Sequence, residues 1–287
     1  MTLWNEKAVR EELGEEGYEW FIGKVMPRMA ACPYCQGKGS VTSPNDLLNE
    51  GWEKLGKSAN FTKQEVCWYC YAYVEKLTTF CRLRRKIPPV YQNSFLRTLT
   101  PYSKSLVPIE RQREVIEYIR NHPEEGYCFV GPPNCGKTVM TTALYMEMLW
   151  KETVQAPNHD MKASKFFPVW FLSTKQMLDE HTNWDMHKND PEPEFGLGTP
   201  YPTVTVEKIA YVRDHKRTPR LFLEEIDKVK ETDARRANLF AVINAIHNYK
   251  GQLIVNTNFR TTQFEEVFGD DLAWRIRNAC TVVDFFK

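Results

Sequence analysis

The 287-residue chain is 42% apolar and 26% charged, the mix of one large or two ordinary globular domains. Net charge is +1; 13 of 38 Lys+Arg and 11 of 37 Asp+Glu fall in residues 1–86, leaving 25 and 26 beyond, so capture of nucleic acid by bulk charge is excluded. No run approaches the ~20 apolar residues of a membrane span and the first residues lack a secretion signal, so a cytoplasmic chain with no membrane partner is expected, its eight cysteines ligating metal or simply buried.

Residues 1–86 hold five of the eight cysteines and show no alternation of strand and helix. A helix is predicted from about Glu6 to Met29, with Val9, Leu13, Tyr18, Phe21, Ile22 and Val25 as its apolar face, imperfect around Gly14 and Gly17. Cys32-Pro33-Tyr34-Cys35-Gln36-Gly37 follows, a knuckle in which two thiolates grip one ion while Gly37 leaves backbone N–H groups free to bond sulfur. With Cys67-Trp68-Tyr69-Cys70 it supplies four thiolates, which suits tetrahedral Zn²⁺, although the 31 residues between the pairs exceed the spacing of compact ribbons. Redox dithiols and uncoordinated buried cysteines are the rival readings. The segment Ser43-Pro44-Asn45-Asp46 reads as a turn or helix N-cap. A second helix is predicted from about Tyr69 to Arg85, with Cys81 on its core repeat of Cys70, Val74 and Leu77. Cys81-Arg82-Leu83-Arg84-Arg85-Lys86 is either a contact for nucleic acid or a solvated linker face. Pro88-Pro89 ends the helix and marks the boundary between an N-terminal domain, 1–86, and a second domain, 87–287.

Beyond the prolines, strands and helices alternate. Tyr127–Val130 is a short apolar strand, Lys137 to Trp150 a helix, and Val169–Leu172 a strand followed by Ser173-Thr174-Lys175-Gln176 with the spacing of a capping box. Residues 182–203, rich in Asp, Asn, Pro and Gly, read as an inserted loop. Leu221–Leu223 is a strand, Asp233–Asn248 a helix, Leu253–Val255 a strand, Phe264–Phe268 helical and Thr281–Val283 the last strand. The pattern is that of a mainly parallel sheet covered on both faces. Cys128, Cys135 and Cys280 have no partner pattern, and the six histidines read as structural or surface groups.

Gly131-Pro132-Pro133-Asn134-Cys135-Gly136-Lys137-Thr138, set between a strand and a helix, is a phosphate cradle. Its glycines let consecutive N–H groups face the phosphates at the positive end of the helix. Lys137 is expected to meet the β- and γ-phosphates of ATP, and Thr138 to ligate Mg²⁺. At the end of Leu221-Phe222-Leu223, Glu224 stands where Mg²⁺ is held and Glu225 where attacking water is polarised. Glu224 is one methylene longer than the usual Asp, which makes weak or partner-dependent hydrolysis plausible. On the next strand Asn258 is the first choice to orient water against the γ-phosphate, with Asn256 in reserve. In Gly269-Asp270-Asp271-Leu272-Ala273-Trp274-Arg275-Ile276-Arg277, Arg275 is the candidate to reach the γ-phosphate of a neighbouring subunit, and Arg277 the alternative.

In this order, these motifs resemble the AAA+ ATPases of the bacterial DnaC/DnaI-type replicative helicase loaders and their relative, the IstB transposition ATPase. The resemblance covers roughly residues 88–287 and is strongest in 131–138, in Phe222-Leu223-Glu224-Glu225-Ile226-Asp227, and in Ile254-Val255-Asn256-Thr257-Asn258-Phe259 with Phe268-Gly269-Asp270 through Arg275. It implies an α/β AAA+ fold without a C-terminal helical lid, preceded by a small α-rich zinc-binding domain that holds the helicase. It also implies ATP and Mg²⁺ as cofactors beside Zn²⁺, a homo-oligomer, and DNA, single-stranded or duplex, as a partner. A helicase loader is the leading reading. A transposition ATPase that recruits a transposase to target DNA is the second, and a zinc adaptor switched by ATP with little turnover the third. The loop is also similar to that of viral superfamily 3 helicases, whose gap to the acidic pair is much shorter.

Overall fold

The computed structural model describes residues 5–36, 38, 40–44, 62–155, 167–187, 203–228 and 232–286. The chain divides into two compact units, Met1–Ile87 with Thr153–Met161, and Pro88–Glu152 with Lys162–Lys287.

The first unit is built on two helices, α1 (Glu6–Ala30) and α2 (Trp68–Arg84), and an antiparallel strand pair, β1 (Ser40–Pro44) with β2 (Thr62–Val66). Helix α1 starts where the Asn5 side chain accepts the Ala8 N–H, 3.1 Å. It breaks at Gly14 (φ 69°, ψ 170°), and this explains the imperfect apolar stripe. Val9 and Leu13 are spaced by four and Tyr18, Phe21, Val25 and Met29 by three and four, but Leu13 and Tyr18 by five. The break absorbs that slip, so all six side chains are buried while Ile22 is half-exposed. Against them pack Val74, Leu77, Phe80 and Cys81 of α2, the Phe80 ring stacked on Trp20 with centroids 5.5 Å apart. The basic run after Cys81 is divided: Arg84 is buried with its guanidinium 4.7 Å from the Trp20 ring centre, whereas Arg82, Arg85 and Lys86 are exposed. The strand pair corrects the expected turn at Ser43-Pro44, which is extended backbone of β1; Asn45, Asp46 and Gly37 lie outside the described residues.

The second unit contains a five-stranded parallel sheet in the order β4–β5–β6–β3–β7, flanked by helices. Its strands are β3 (Tyr127–Val130), β4 (Val169–Ser173), β5 (Arg220–Glu224), β6 (Gln252–Thr257) and β7 (Thr281–Asp284). Helices α3 (Ile109–Asn121), α4 (Lys137–Trp150), α5 (Thr174–His187), α6 (Val206–Asp214), α7 (Asp233–Asn248), α8 (Phe264–Phe268) and α9 (Asp270–Ala279) accompany them. Helices α3 and α6 have no counterpart in the sequence reading. Residues 182–187, expected in a loop, complete α5, and 188–202 lie outside the described residues.

Strands buried on both faces read as apolar runs, as β3 and the Leu253–Val255 centre of β6 do. On one face Cys128, Val130, Leu221, Leu223, Leu253 and Val255 pack with residues of α5 to α9. On the other, Tyr145 of α4 meets Phe222 edge-on at 5.4 Å and Phe171 at 5.0 Å. The chain leaves β3 for the far edge at β4, returns through β5 to β6 beside β3, and then adds β7 on the other side. The point where the order reverses is therefore the carboxyl end of β3, where open parallel sheets bind ligands.

At the opposite end of the sheet, the buried guanidinium of Arg220 is shared by Glu152 and by Glu124 (2.7 Å), which also pairs with Lys151; Arg217 meets Glu152 at 3.1 Å. Burial opposes the charge of Glu124, but hydrogen bonds from Lys151 and Arg220 prevail and hold its carboxyl below the ordinary value. Arg220→Met leaves these carboxylates short of a partner and is expected to cost about 3 kcal/mol in denaturant unfolding at neutral pH. A group with a depressed folded pKa stabilises above its unfolded value, about 4.3 for Glu, and loses that contribution as pH falls through the folded value. The gap between variant and native protein should therefore narrow below about pH 4.

Candidate functional site

The cradle joins β3 to α4. Asn134 (φ 64°) and Gly136 (φ 101°) both take left-handed backbone, which turns the loop back onto the first turn of the helix. Gly131 is fixed by crowding: a Cβ there would lie 2.7 Å from both Cys135 Sγ and Phe285 Cβ. The buried Cys135 thus packs the inside of the loop, while Pro133 and Asn134 are exposed and Pro132, Gly136, Lys137 and Thr138 are half-buried. The Gly131 N–H donates to Thr257 O of β6, 3.2 Å, so the loop leaves the sheet beside that strand.

Parallel pairing sets the rest. Val130 is in register with Thr257, and Leu223 with Val255, so β3, β5 and β6 end side by side. Lys137 Nζ donates to Gly131 O (2.7 Å), Pro132 O (2.8 Å) and Asn258 Oδ1 (3.0 Å). Asn258 in turn gives its backbone N–H and Nδ2 to the two oxygens of Asp227, 3.1 and 2.7 Å. The buried Asn256 performs a different task. Its Nδ2 donates to Glu224 Oε1 (3.2 Å) and its Oδ1 accepts the Glu225 N–H (2.6 Å). Glu225 is exposed and left-handed (φ 56°), a conformation that costs a non-glycine residue of order 1 kcal/mol and is found where surroundings enforce it. Thr174 Oγ1 also donates to Glu224 O, 2.9 Å.

The structure therefore brings Lys137, Glu224, Glu225, Asn256 and Asn258 together at the carboxyl ends of three adjacent strands. It adds Asp227, which sequence reasoning assigned no role. Its signal was its place just past the acidic pair, but its partner lies 31 residues away. Arg275 stands apart, on α9, with its guanidinium 4.9 Å from the Phe240 ring centre and 5.4 Å from that of Trp274. Its Nε is buried with no hydrogen-bond partner among the described residues. Arg277, the alternative, is committed within its own chain: both terminal nitrogens bond Glu265, and Nη2 also reaches Thr261 O at 2.7 Å.

In the first unit, Cys32, Cys35, Cys67 and Cys70 are buried with all four Sγ atoms within 4.8 Å of one another. Helix α2 supplies the second pair, Cys67 as its N-cap and Cys70 on its first turn, and the turn after α1 supplies the first, with Gln36 N donating to Cys32 O at 3.0 Å. The Cys32–Cys67 and Cys35–Cys70 separations are 3.8 and 3.5 Å, far beyond a disulfide bond. A tetrahedron with metal–sulfur bonds of about 2.3 Å has edges of about 3.8 Å, so the four thiols fit one zinc ion. Burial raises the Cys70 thiol well above its ordinary value, and its neighbours add to that; burial also raises Cys67. At Cys32 burial is outweighed by hydrogen bonds from the backbone of Cys35 and Tyr34 and from nearby thiols, which bring it down to about 7. Cys81 is buried elsewhere on α2 and is not one of the four. Among the described residues no helix is long and apolar enough to cross a membrane.

No protein-family model matches the chain, and no curated protein does. Among solved structures, that of the DnaC helicase loader is 17% identical with a TM-score of 0.49, covering 69% of this chain and 99% of that one. AMPPCP-bound DnaA from Aquifex aeolicus is 14% identical (TM-score 0.43; 69% of this chain, 50% of that one), and DnaI 13% (0.40; 69% and 94%). Identity and TM-score are low throughout, so the reading of these residues rests on the geometry of this chain.

Protein purified without chelator should carry about one zinc per chain, and Cys67→Ser should release it and loosen the first unit. Metal analysis with near-ultraviolet spectra checks both; retention of full zinc by Cys67→Ser together with loss by Cys81→Ser would reassign the fourth ligand.

Proposed function

We propose that the chain is an AAA+-type ATPase that loads or remodels a replicative DNA helicase, assembling as an oligomer on single-stranded DNA. The observation that carries the nucleotide part is the position of the Lys137 ammonium. It is held by the loop carbonyls of Gly131 and Pro132 and through Asn258 beside the strand ends that carry Glu224 and Glu225. In this reading residues 131–138 hold the phosphates of ATP at the N-terminus of α4, and Lys137 faces the β- and γ-phosphates. Thr138 and Glu224 would hold Mg²⁺, which when bound would neutralise the charge that develops on the phosphates. Glu225, exposed and pinned by Asn256, takes the proton from the attacking water.

One feature favours a loader over a transposition ATPase: the first unit groups four cysteines that fit one zinc ion, the kind of module expected to hold a partner. Hydrolysis is expected to be slow without a partner. Glu224 reaches one methylene further than the usual aspartate, and its carboxylate is already engaged by Asn256. Because Arg277 is occupied by Glu265, Arg275 is the arginine available to a neighbouring subunit.

Lys137→Ala should abolish ATP binding in an equilibrium titration. Arg275→Ala should leave ATP binding by the isolated subunit nearly intact and cut hydrolysis and nucleotide-dependent assembly; fully developed arginine fingers contribute roughly 10³–10⁵ in rate, and less is expected here. Mixing Arg275→Ala with Glu225→Gln gives assemblies in which some sites pair a sound Glu225 with a sound Arg275, so part of the activity should return. Absence of any recovery in mixtures shown to co-assemble rules out action in trans.

A further inference from the structure

The sequence reading gave Asn258 the task of orienting water, a role for its amide N–H₂. The geometry points to another: we propose that Asn258 serves through its amide oxygen as a holder of Lys137, and that Asp227 is the positioning residue that fixes it in that orientation. This deepens the proposed function and rests on the reading of residues 131–138 as a nucleotide site.

The chemistry of the two neighbours leaves one orientation. An ammonium only donates, so the side-chain atom 3.0 Å from Lys137 Nζ must be Oδ1. A carboxylate only accepts, so the atom 2.7 Å from Asp227 Oδ2 must be Nδ2. Flipping the amide would set a donor against a donor and an acceptor against an acceptor. The second Asp227 oxygen takes the Asn258 backbone N–H at 3.1 Å, so one carboxylate grips both the main chain and the side chain of the residue. Charge-assisted bonds of this kind are the stronger class. Asp227 takes one Nδ2 hydrogen and fixes the amide plane, so that Asn258 acts through its oxygen on Lys137, whose ammonium also reaches Gly131 O, Pro132 O and, at 3.7 Å, Cys135 Sγ. Asn256, two residues earlier, is set in the same way by Glu224 and the Glu225 N–H. One asparagine thus serves the acids and the other the lysine.

The two roles separate on nucleotides that differ in the γ-phosphate. A donor to the γ-phosphate or its water contributes to ATP binding and nothing to ADP. A residue that orients Lys137, which also faces the β-phosphate, contributes to both. The test titrates the full chain with fluorescent ADP and ATP in the presence of Mg²⁺. Asn258→Ala and Asp227→Asn should each weaken both nucleotides by a similar factor of about ten, as expected for a lost hydrogen bond to a charged group. The exchange Asp227→Asn with Asn258→Asp reverses donor and acceptor across the pair and leaves an acceptor facing Lys137, so affinity for both nucleotides should return towards native. Loss confined to ATP, no loss in either single variant, or no recovery in an exchange variant that melts like the native protein overturns the inference while the nucleotide site stands. Failure of the native chain to bind either nucleotide overturns both.

Discussion

The carboxyl end of β6 is sealed from water: Asn256 and Thr257 are 2% and 1% exposed, on a strand flanked by β3 and β5. Polar groups there must be paired within the protein or cost a kilocalorie or more each. The pairing they find holds the site together. Thr257 O takes the first N–H of the phosphate cradle, Asn256 takes the backbone of Glu225 and the carboxylate of Glu224, and Asn258 lies between Lys137 and Asp227. Two chain segments, 131–137 and 224–227, are thereby fixed by one strand end. The strained backbone of Glu225 persists because Asn256 holds its N–H, which places the side chain in solvent beyond the sheet rather than against it.

Much of this was legible in the sequence because parallel strands buried on both faces are continuous apolar runs and the cradle has fixed spacing. Tyr127–Val130, Lys137–Trp150, Asp233–Asn248 and Phe264–Phe268 have the bounds that the pattern gave them. Helix α3 was hidden by Gln112, a polar residue inside its buried stripe of Val115, Ile116 and Ile119. Its amide is there because it bonds Val107 O at 2.7 Å and Tyr102 O at 3.1 Å, partners no local pattern reveals. The pair β1–β2 was missed for a related reason, since Ser40–Pro44 and Thr62–Val66 carry no apolar alternation.

The site residues divide along the same line. Residue type and spacing singled out Lys137, Glu224 and four cysteines that the fold then groups in space. The choice between Asn256 and Asn258, and between Arg275 and Arg277, depended on contacts 12 to 121 residues distant in sequence, and neither member of a pair differs chemically from the other. Asp227 escaped notice because a carboxylate three residues past Glu224 is unremarkable until Asn258 is placed against both of its oxygens.

Charge gives the arrangement its last consequence. Among the described residues the strand ends gather one ammonium, Lys137, against three carboxylates, Glu224, Glu225 and Asp227. A polyphosphate entering such a site meets a formal excess of negative charge, which the helix N-terminus of α4 offsets by only about half a unit. In the proposed reading a nucleotide held there would call for Mg²⁺, and the charge that develops in phosphoryl transfer for a further cation, which the described residues of the cluster do not supply. An arginine seated on aromatic rings, with a buried Nε and no carboxylate partner among the described residues, is suited to that need, because it gives up no ion pair to them before it serves another subunit. Arg277, locked to Glu265, would have to give up a bidentate pair first. In the proposed oligomer the acid-rich site would thus be electrostatically incomplete in one chain, and that incompleteness would couple turnover to assembly.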